Sequence, residues 1–463
     1  MSTGRSDLAF AAQAIEVGVN FEGDTGRTLV VGLGSTGLSA ASYLRSQGAT
    51  VRVIDSRAAP PLLDELTRRC PDIDIRVETL DVAWLDGASR LVLSPGLSTE
   101  LPLVAAARER GIPVVSDIEL FAQAAEAPVA AVTGSNGKST VTTLTQRLLV
   151  ANGIDAVAGG NLGPPALDLL DDHPDVYVLE ISSFQMETTE SLHPSATALL
   201  NVSADHLDRH GSLVRYAALK QKLLDAAHTA IYYDDDPLVR AMGIAHPNGI
   251  GFSITHAPDD GYGILTADGS RWLARRNSPI FPAERLRVRG RHNEANALAA
   301  IALAEAVNGS ALASFDALEQ FAGLAHRCEF VAELAGVTFI NDSKGTNVGA
   351  TVAALEGLDG PFVLIAGGQA KGASFAPLAQ AASGRLLAAV LIGESATEIE
   401  RALARVCATE QTASLDQAVA RAYALAAPGA TVLLSPACAS FDMFASYEDR
   451  GEQFKTAVEE LTT

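Results

Sequence analysis

Twice in this chain a short β-branched run breaks into a glycine-rich loop and resumes as an Ala/Leu-rich stretch of helical character. The first loop, Gly32-Leu33-Gly34-Ser35-Thr36-Gly37, follows a strand expected over residues 28–33. The second, Thr133-Gly134-Ser135-Asn136-Gly137-Lys138-Ser139-Thr140, follows one expected over 128–132. A strand that turns sharply into a helix points free backbone amides and the positive end of the helix dipole at one spot, a ready anion site. Such turns belong to parallel sheets with crossover helices, so the pattern predicts an α/β protein and argues against all-α, all-β and fibrous folds.

The same alternation of strand and helix signals continues to the end, and a third restart appears at residues 337–341. Three α/β units are therefore expected, with boundaries at 1–118, 119–324 and 325–463. Further strands are predicted at 51–55, 90–93, 112–115, 176–180, 197–201, 362–366, 388–392 and 431–434, and a helix at 38–47. The Gly/Asp/Pro-rich stretch 257–282 reads as surface loops. A chain of 463 residues, 48% hydrophobic, has ample material for three cores.

Composition narrows the partners. With 34 Lys+Arg against 55 Asp+Glu the net charge is -21, a field that repels nucleic acid and anionic membrane, so a phosphate-bearing ligand needs a local site. Cys70, Cys328, Cys407 and Cys438 are scattered without a C-x-x-C pair, which suits a reducing compartment and not a disulfide framework or a zinc finger. No stretch has the length of a membrane span, and the first 21 residues lack the pattern of a signal peptide. A cytoplasmic enzyme without membrane insertion is expected. The first 20 or so residues read as a helical prelude or a frayed tail, with no function assigned.

The first loop matches a dinucleotide-type fingerprint, with Asp55 ending the next strand about 20 residues on. It suits a diphosphate at the helix start; a nicotinamide cofactor is one candidate ligand. The second loop is shorter than a standard Walker A, with two residues in place of four before Gly137-Lys138-Ser139. Its chemistry survives: glycines admit phosphates to the backbone amides, Lys138 supplies a point charge, and Ser139 or Thr140 can reach Mg2+. Glu180 at a strand end and the cluster Asn201 to Asp208, with His206 in it, stand where metal-facing or substrate-positioning groups would sit. Lys220 follows Tyr216 by four residues and shares its helix face. A lysine cation close to Mg2+ is repelled, so spacing alone favours a surface lysine and barely separates Lys220 from Lys222.

Assembled, these residues resemble the Mur ligases of peptidoglycan synthesis. The resemblance rests on VVGLGSTGLS (30–39), VIDSR (53–57), LSPG (93–96), SDIELF (116–121), VTGSNGKSTVTTL (132–144), GGNLG (159–163), LEISSFQ (179–185) and NVSADHLDR (201–209). It continues through GRHNEANALAA (290–300), GLAHRCE (323–329), INDSKGTN (340–347), GGQAKG (367–372) and LLSPACASFD (433–442). It implies an N-terminal Rossmann-like domain, a central P-loop ATPase-like parallel sheet and a C-terminal Rossmann-like domain, and an ATP- and Mg2+-dependent ligase acting as a monomer. The chain is most similar to the branch that adds D-glutamate to UDP-N-acetylmuramoyl-L-alanine through an acyl phosphate and a tetrahedral intermediate.

By that resemblance the first loop serves a UDP-sugar rather than NAD, with Ser35, Thr36, Ser94 and Gly96 near it and Asp55, Ser56 and Arg57 near the uracil. ATP would meet Gly134, Asn136, Gly137, Lys138, Ser139, Thr140, Asn293, Asn296, Arg327 and Asp342. The metal would fall to Ser139, Thr140, Glu180, His206 and Lys220, the last as a carbamate that reverses its charge; Lys138, His206 and Lys220 carry the catalytic expectation. Asn161, Ser182 and Gln185 would flank the growing substrate, and Lys344, Thr346, Lys371, Ser440 and Tyr447 the amino acid. The chain departs from the family pattern at Gly345, Gln369-Ala370 and Tyr447. An L-glutamate-adding or other Mur-type relative, a folylpolyglutamate synthase, an NAD oxidoreductase and an inactive nucleotide-binding regulator are the competing readings.

Overall fold

The structure is a computed structural model that describes residues 26–161, 163–267, 269–288 and 290–461. The expectation for the first 20 residues lies outside them. The chain forms two compact units, one ending at Ala125 and one beginning at Glu126.

The first unit is a five-stranded parallel sheet of β1 (Arg27–Val31), β2 (Thr50–Ile54), β3 (Asp74–Arg76), β4 (Ala88–Leu93) and β5 (Val114–Val115), in the order β3-β2-β1-β4-β5. The chain leaves β1 to one side for β2 and returns on the other for β4, which opens a crevice at the carboxyl end of β1. The glycine loop lies there. Gly37 is required by contact: a Cβ on it would stand 1.8 Å from the carbonyl oxygen of Gly32, so only glycine lets the helix Ser35–Ser46 sit this close to the strand. The helix Asp117–Ala124, capped by the Ser116 hydroxyl on the Glu119 amide, packs on Ser35–Ser46 and carries this unit through Ala125.

The second unit holds two sheets. Nine strands form the larger: β6 (Val129–Thr133), β7 (Ala156–Gly160), β8 (Val176–Glu180), β9 (Ala196–Leu199), β10 (Thr229–Tyr233), β11 (Gly249–Phe252), β12 (Tyr262–Ala267), β13 (Ser270–Arg275) and β14 (Ser278–Pro282). Their order is β14-β13-β12-β11-β10-β9-β6-β8-β7. Parallel β6 lies between β9 and β8, so the loop after β6 opens at a point where the strand order reverses.

Of the stretch 257–282, expected as surface loops, only 257–261 is loop; from Tyr262 on it forms the antiparallel meander β12-β13-β14. Its strands are short and broken by turn residues, which hid them. The hairpin signal was present as Asp268-Gly269 and Arg276-Asn277; Arg276 and Asn277 both have positive φ, at 46° and 61°, as a two-residue hairpin turn requires. Ile264, Leu273 and Phe281 from the meander enter the same core as the helix Arg291–Asn308. Glu305 of that helix accepts from Tyr262 at 2.6 Å and Arg275 at 2.5 Å, pinning the two together.

The smaller sheet runs β15-β16-β20-β17-β18-β19, from β15 (Glu329–Leu334), β16 (Val337–Asn341), β17 (Phe362–Gly367), β18 (Leu386–Ile392), β19 (Ala408–Gln411) and β20 (Thr431–Leu434). Only β15 is antiparallel, a hairpin arm on the edge. All six residues of β17 are buried, Phe362, Leu364 and Ala366 on one face and Val363 and Ile365 on the other, the uninterrupted apolar run expected of a central parallel strand covered on both sides. Among the described residues no helix is long and apolar enough to cross a membrane.

Candidate active site

In the first unit the Asp55 carboxylate is buried beneath the glycine loop. It accepts from the Leu33 amide at 2.7 Å, the Arg57 amide at 2.8 Å and the Arg57 guanidinium at 2.9 and 2.7 Å. Burial alone would raise its pKa; the guanidinium and the two amides outweigh that and hold it down to about 2. Arg57 also reaches the Leu33 carbonyl, so Asp55 and Arg57 brace the loop from below. Ser94 donates to the Gly32 carbonyl at 3.0 Å and closes it from the β4 side. Ser35, Ser56 and Gly96 are exposed and Thr36 half-buried around the same crevice.

In the second unit the loop after β6 wraps the start of the helix Lys138–Ala151. Gly137 takes a positive φ of 85°, and a Cβ there would lie 2.6 Å from the Asn296 amide oxygen. The loop is braced by the strand next door: the Asn136 amide donates to the Asn201 side chain at 2.8 Å, Asn201 returns a bond to the Asn136 carbonyl at 3.0 Å, and the Ser135 hydroxyl donates to the Ser203 carbonyl. Lys138 folds back onto its own loop, donating to the carbonyls of Gly134 at 2.9 Å and Ser135 at 3.0 Å. Burial, with Arg327 and Lys371 nearby, lowers its pKa against the pull of Glu180 and Asp205.

Around this loop the expected groups converge. Ser139 donates to Glu180 at 2.6 Å and receives Arg327 at 2.6 Å; Asn161 donates to the other oxygen of Glu180 at 2.5 Å. Lys220 is not a surface lysine: it is 1% exposed, and its Nζ donates to the Gly134 carbonyl at 2.8 Å and lies 4.3 Å from the centre of the Tyr216 ring. Lys222, its rival by spacing, pairs with Glu190 on the exterior. Burial first, then the charge of Lys138, pushes the Lys220 pKa far down. His206 adopts a left-handed φ of 53° beside Asp205, and burial lowers its pKa to about 4 despite that carboxylate.

Asp205 ties this region to the smaller sheet. It accepts from Lys371 at 3.0 Å and from Asn347 at 2.9 Å, and Asn347 exchanges amide bonds with Asn136 on the phosphate loop. A cavity of about 800 Å³ runs between the two sheets and is lined by Asn136, Gly137, Thr140, Asn293, Asn296, Arg327, Asp342 and Lys344 among others. Burial raises the Asp342 pKa to about 6, while Ser435 donates to it at 2.7 Å. Lys344 lies 3.9 Å above the Tyr447 ring, its pKa lowered to about 8 by burial and by Arg327.

Other expected residues stand apart from that cavity. Thr346 and Lys371 line a smaller cleft with Asp205. Ser182 and Gln185 are engaged with each other, forming a reciprocal cap on the short helix Ser183–Met186. Ser440 is buried in the loop after β20, and Cys438 beside it is packed away, its thiol pushed up to about 12 by burial.

Sequence reasoning missed Asn347, His292 and Arg450. Arg450 is fully buried, has no carboxylate partner among the described residues, and donates to the Ser343 hydroxyl and carbonyl and to the Cys438 carbonyl, clamping loop 342–346 to loop 435–440. An arginine among acidic neighbours on an exposed-looking helix gave no signal of this.

Three family models cover most of the chain: "Mur ligase MurD-like, N-terminal domain" over residues 26–116, "Mur ligase middle domain" over 132–304, and "Mur ligase, glutamate ligase domain" over 326–438. The chain is a Mur ligase. It is 47% identical over 437 residues to the UDP-N-acetylmuramoylalanine–D-glutamate ligase of Nitrosococcus oceani, covering 94% of this chain and 96% of that protein. Proteins of the same name from Marinobacter nauticus and Pseudomonas aeruginosa are 46% and 44% identical, each over 94% of this chain and 98% of theirs. Among solved structures, the UDP-N-acetylmuramate-alanine ligase MurC of Thermotoga maritima superposes with a TM-score of 0.60 at 18% identity, covering 94% of this Mur ligase and 100% of that chain. MurF from the same organism, in complex with ADP, gives 0.58 at 17% identity over 94% and 96%. At these identities the two structures establish the shared fold.

Proposed function

We propose that this Mur ligase joins D-glutamate to the carboxylate of UDP-N-acetylmuramoyl-L-alanine at the expense of ATP, in the cytoplasmic stage of peptidoglycan synthesis and as a monomer. The observation that carries the reading is the convergence of Lys138, Ser139, Glu180, Arg327 and Lys220 on one phosphate loop, in a chain more than 40% identical along most of its length to proteins named for that reaction.

The UDP-sugar is assigned to the crevice above β1, with Ser35, Thr36, Ser94 and Gly96 near the diphosphate and Asp55, Ser56 and Arg57 toward the uracil. ATP is assigned to the cavity between the sheets of the second unit, with Asn293, Asn296 and Asp342 beside the nucleoside and Gly134, Asn136, Gly137, Lys138, Ser139, Thr140 and Arg327 around its phosphates. Lys138 turned from its own carbonyls toward the γ-phosphate, together with the loop amides, neutralises charge as the phosphoryl group passes to the substrate carboxylate. Asn161, Ser182 and Gln185 border the muramoyl arm. The glutamate amine then attacks the acyl phosphate, the tetrahedral adduct collapses, and phosphate leaves. Lys344, Lys371, Thr346, Ser440 and Tyr447 receive the amino acid, the two cations suiting its carboxylates.

Mg2+ fits the donor set. Among the described residues no three His, Cys, Asp or Glu side chains cluster as a metal cage, and Mg2+ ordinarily needs only one or two protein oxygens beside phosphates and water. Glu180 and the hydroxyls of Ser139 and Thr140 provide such oxygens, and His206, unprotonated near neutral pH, is in the form a ligand requires. When bound, the ion supplies charge neutralisation at the phosphates. Lys220 fits as a carbamate: its buried, low-pKa amine is the neutral nucleophile that adds to CO2, with loss of one proton, to give a carboxylate-like anion.

The test is to incubate the protein with ATP, Mg2+ and the UDP-substrate without an amino acid and to reduce any acyl phosphate with borohydride. The expected product is the corresponding alcohol, seen by mass spectrometry. Amide formation on adding D-glutamate, with no alcohol in its absence, would remove the acyl-phosphate step; neither product would remove the ligase reading.

A further inference from the structure

The three groups assigned to the metal and phosphate chemistry come from three separate segments: Glu180 from the end of β8, His206 from the loop after β9, and Lys220 from the helix Leu213–Asp225. The segments carrying the first two continue into four-residue helices, Ser183–Met186 and Leu207–His210, far too short to hold their own shape. Something outside the ligands must set their geometry.

Glu187, directly after the first short helix, has a side chain 6% exposed. Its carboxylate receives the Arg209 guanidinium at 2.6 Å and faces Nδ1 of His210 at 3.4 Å. His210 is completely enclosed, and its Nε2 lies 3.0 Å from the Ser183 hydroxyl, so this one imidazole bridges both ends of the Glu180 segment's short helix. Its backbone amide donates to the His206 carbonyl at 2.9 Å, holding the turn in which His206 takes its left-handed φ. A chain of rings leads from there. Phe184 stacks on His210 with centres 5.2 Å apart, meets His206 edge-on at 4.8 Å, and carries Arg209 over its face at 5.1 Å. On its other side His210 lies 5.4 Å from the ring of Tyr216, which supports Lys220 and whose hydroxyl lies 3.2 Å from that of Ser135.

We propose that Glu187, Arg209 and His210 form a positioning clamp that fixes His206 and the Tyr216–Lys220 pair against Glu180. The clamp rests on the reading of Glu180, His206 and Lys220 as the metal and phosphate site. A buried carboxylate held by a guanidinium is strongly coupled to its partner, since removing either strands the other. Groups that orient ligands from behind in this way typically cost about 10- to 100-fold in metal affinity when changed.

The experiment uses the full chain with Glu187→Gln, which keeps the shape and removes the charge, and Arg209→Met, at a side chain partly open to solvent. Mn2+ affinity in the presence of a non-hydrolysable ATP analogue is read by electron paramagnetic resonance, beside the Mg2+ dependence of turnover. Both variants are expected to bind Mn2+ about 10-fold or more weakly, and the Mg2+ concentration needed for half-maximal turnover to rise in step. If Glu187→Gln fails to fold, Arg209→Met decides alone. Unchanged Mn2+ affinity in the folded variants, including reduced turnover with normal affinity, overturns the clamp. A Glu180→Gln variant with unchanged Mn2+ affinity overturns instead the metal-site reading beneath it.

Discussion

Lys138 is a half-buried cation and Arg450 a buried one, and their surroundings give them opposite duties. Lys138 donates to two carbonyls of its own loop, a seat it can leave for a phosphate. Lys138→Met is therefore expected to abolish turnover while calorimetric binding of the UDP-substrate stays within a few-fold of the parent; comparable loss of both would contradict the assignment of the two ligands to different units. Arg450 is spread over a hydroxyl and several carbonyls of two loops, a fixed strut. Arg450→Met should cost about 2–4 kcal/mol in urea denaturation, since it leaves buried carbonyls unpaired, and raise the KM for glutamate more than that for ATP. Arg450→Lys should restore little, because an ammonium cannot span both loops; full stability in either variant would contradict the strut. The strand-end positions and motif of Lys138, Glu180 and His206 made them legible in sequence. Arg450 and Asn347 were not, because what they brace lies far along the chain: Arg450 reaches Ser343, and Asn347 reaches Asn136 and Asp205, each more than 100 residues away.

At the scale of elements, the parallel strands were readable because each is a short apolar run ending at a loop with a job: residues 176–180, 337–341 and 431–434 are strands with those limits. The meander β12-β13-β14 was not, since its strands pack one face only and are interrupted by glycine and proline, so turn chemistry outweighed a weak alternation. At the start of the helix Ser35–Ser46, a Cβ on Gly37 would meet the Gly32 carbonyl oxygen at 1.8 Å. Gly37→Ala should shift that helix, weaken binding of the UDP-substrate by at least about tenfold and lower the unfolding transition of the first unit. ATP-analogue binding in the second unit should be unaffected; parent-like UDP-substrate affinity would show the contact to be dispensable.

For the whole molecule, pH dependence between 5 and 7 is set by two histidines, opposed by Asp342. Burial holds both His206 and His292 down to about 4 in the folded chain, whereas an unfolded histidine takes its proton near 6.5. Between those values the unfolded chain binds more protons, so stability is fully present above about pH 6.5 and is lost as pH falls toward 4. Roughly 1 kcal/mol per histidine should disappear between pH 7 and pH 5, allowing for their partial exposure, and Asp342, raised to about 6 in the folded chain, offsets part of it because the folded state takes up that proton first as pH falls. Urea midpoints at the two pH values measure it, and His292→Gln should flatten the drop; an equal drop in that variant would clear His292 of the effect. The three-sheet plan was legible from the two glycine loops and the later restart, while the bracing of one loop by another across the second unit emerged only from the fold. Ligation specific for D-glutamate is tested by phosphate release from ATP with UDP-N-acetylmuramoyl-L-alanine, adding D-glutamate, L-glutamate or other amino acids one at a time. Release with D-glutamate alone is the expected result. Release with L-glutamate would keep the mechanism and move the specificity, and silence with every amino acid would contradict the account.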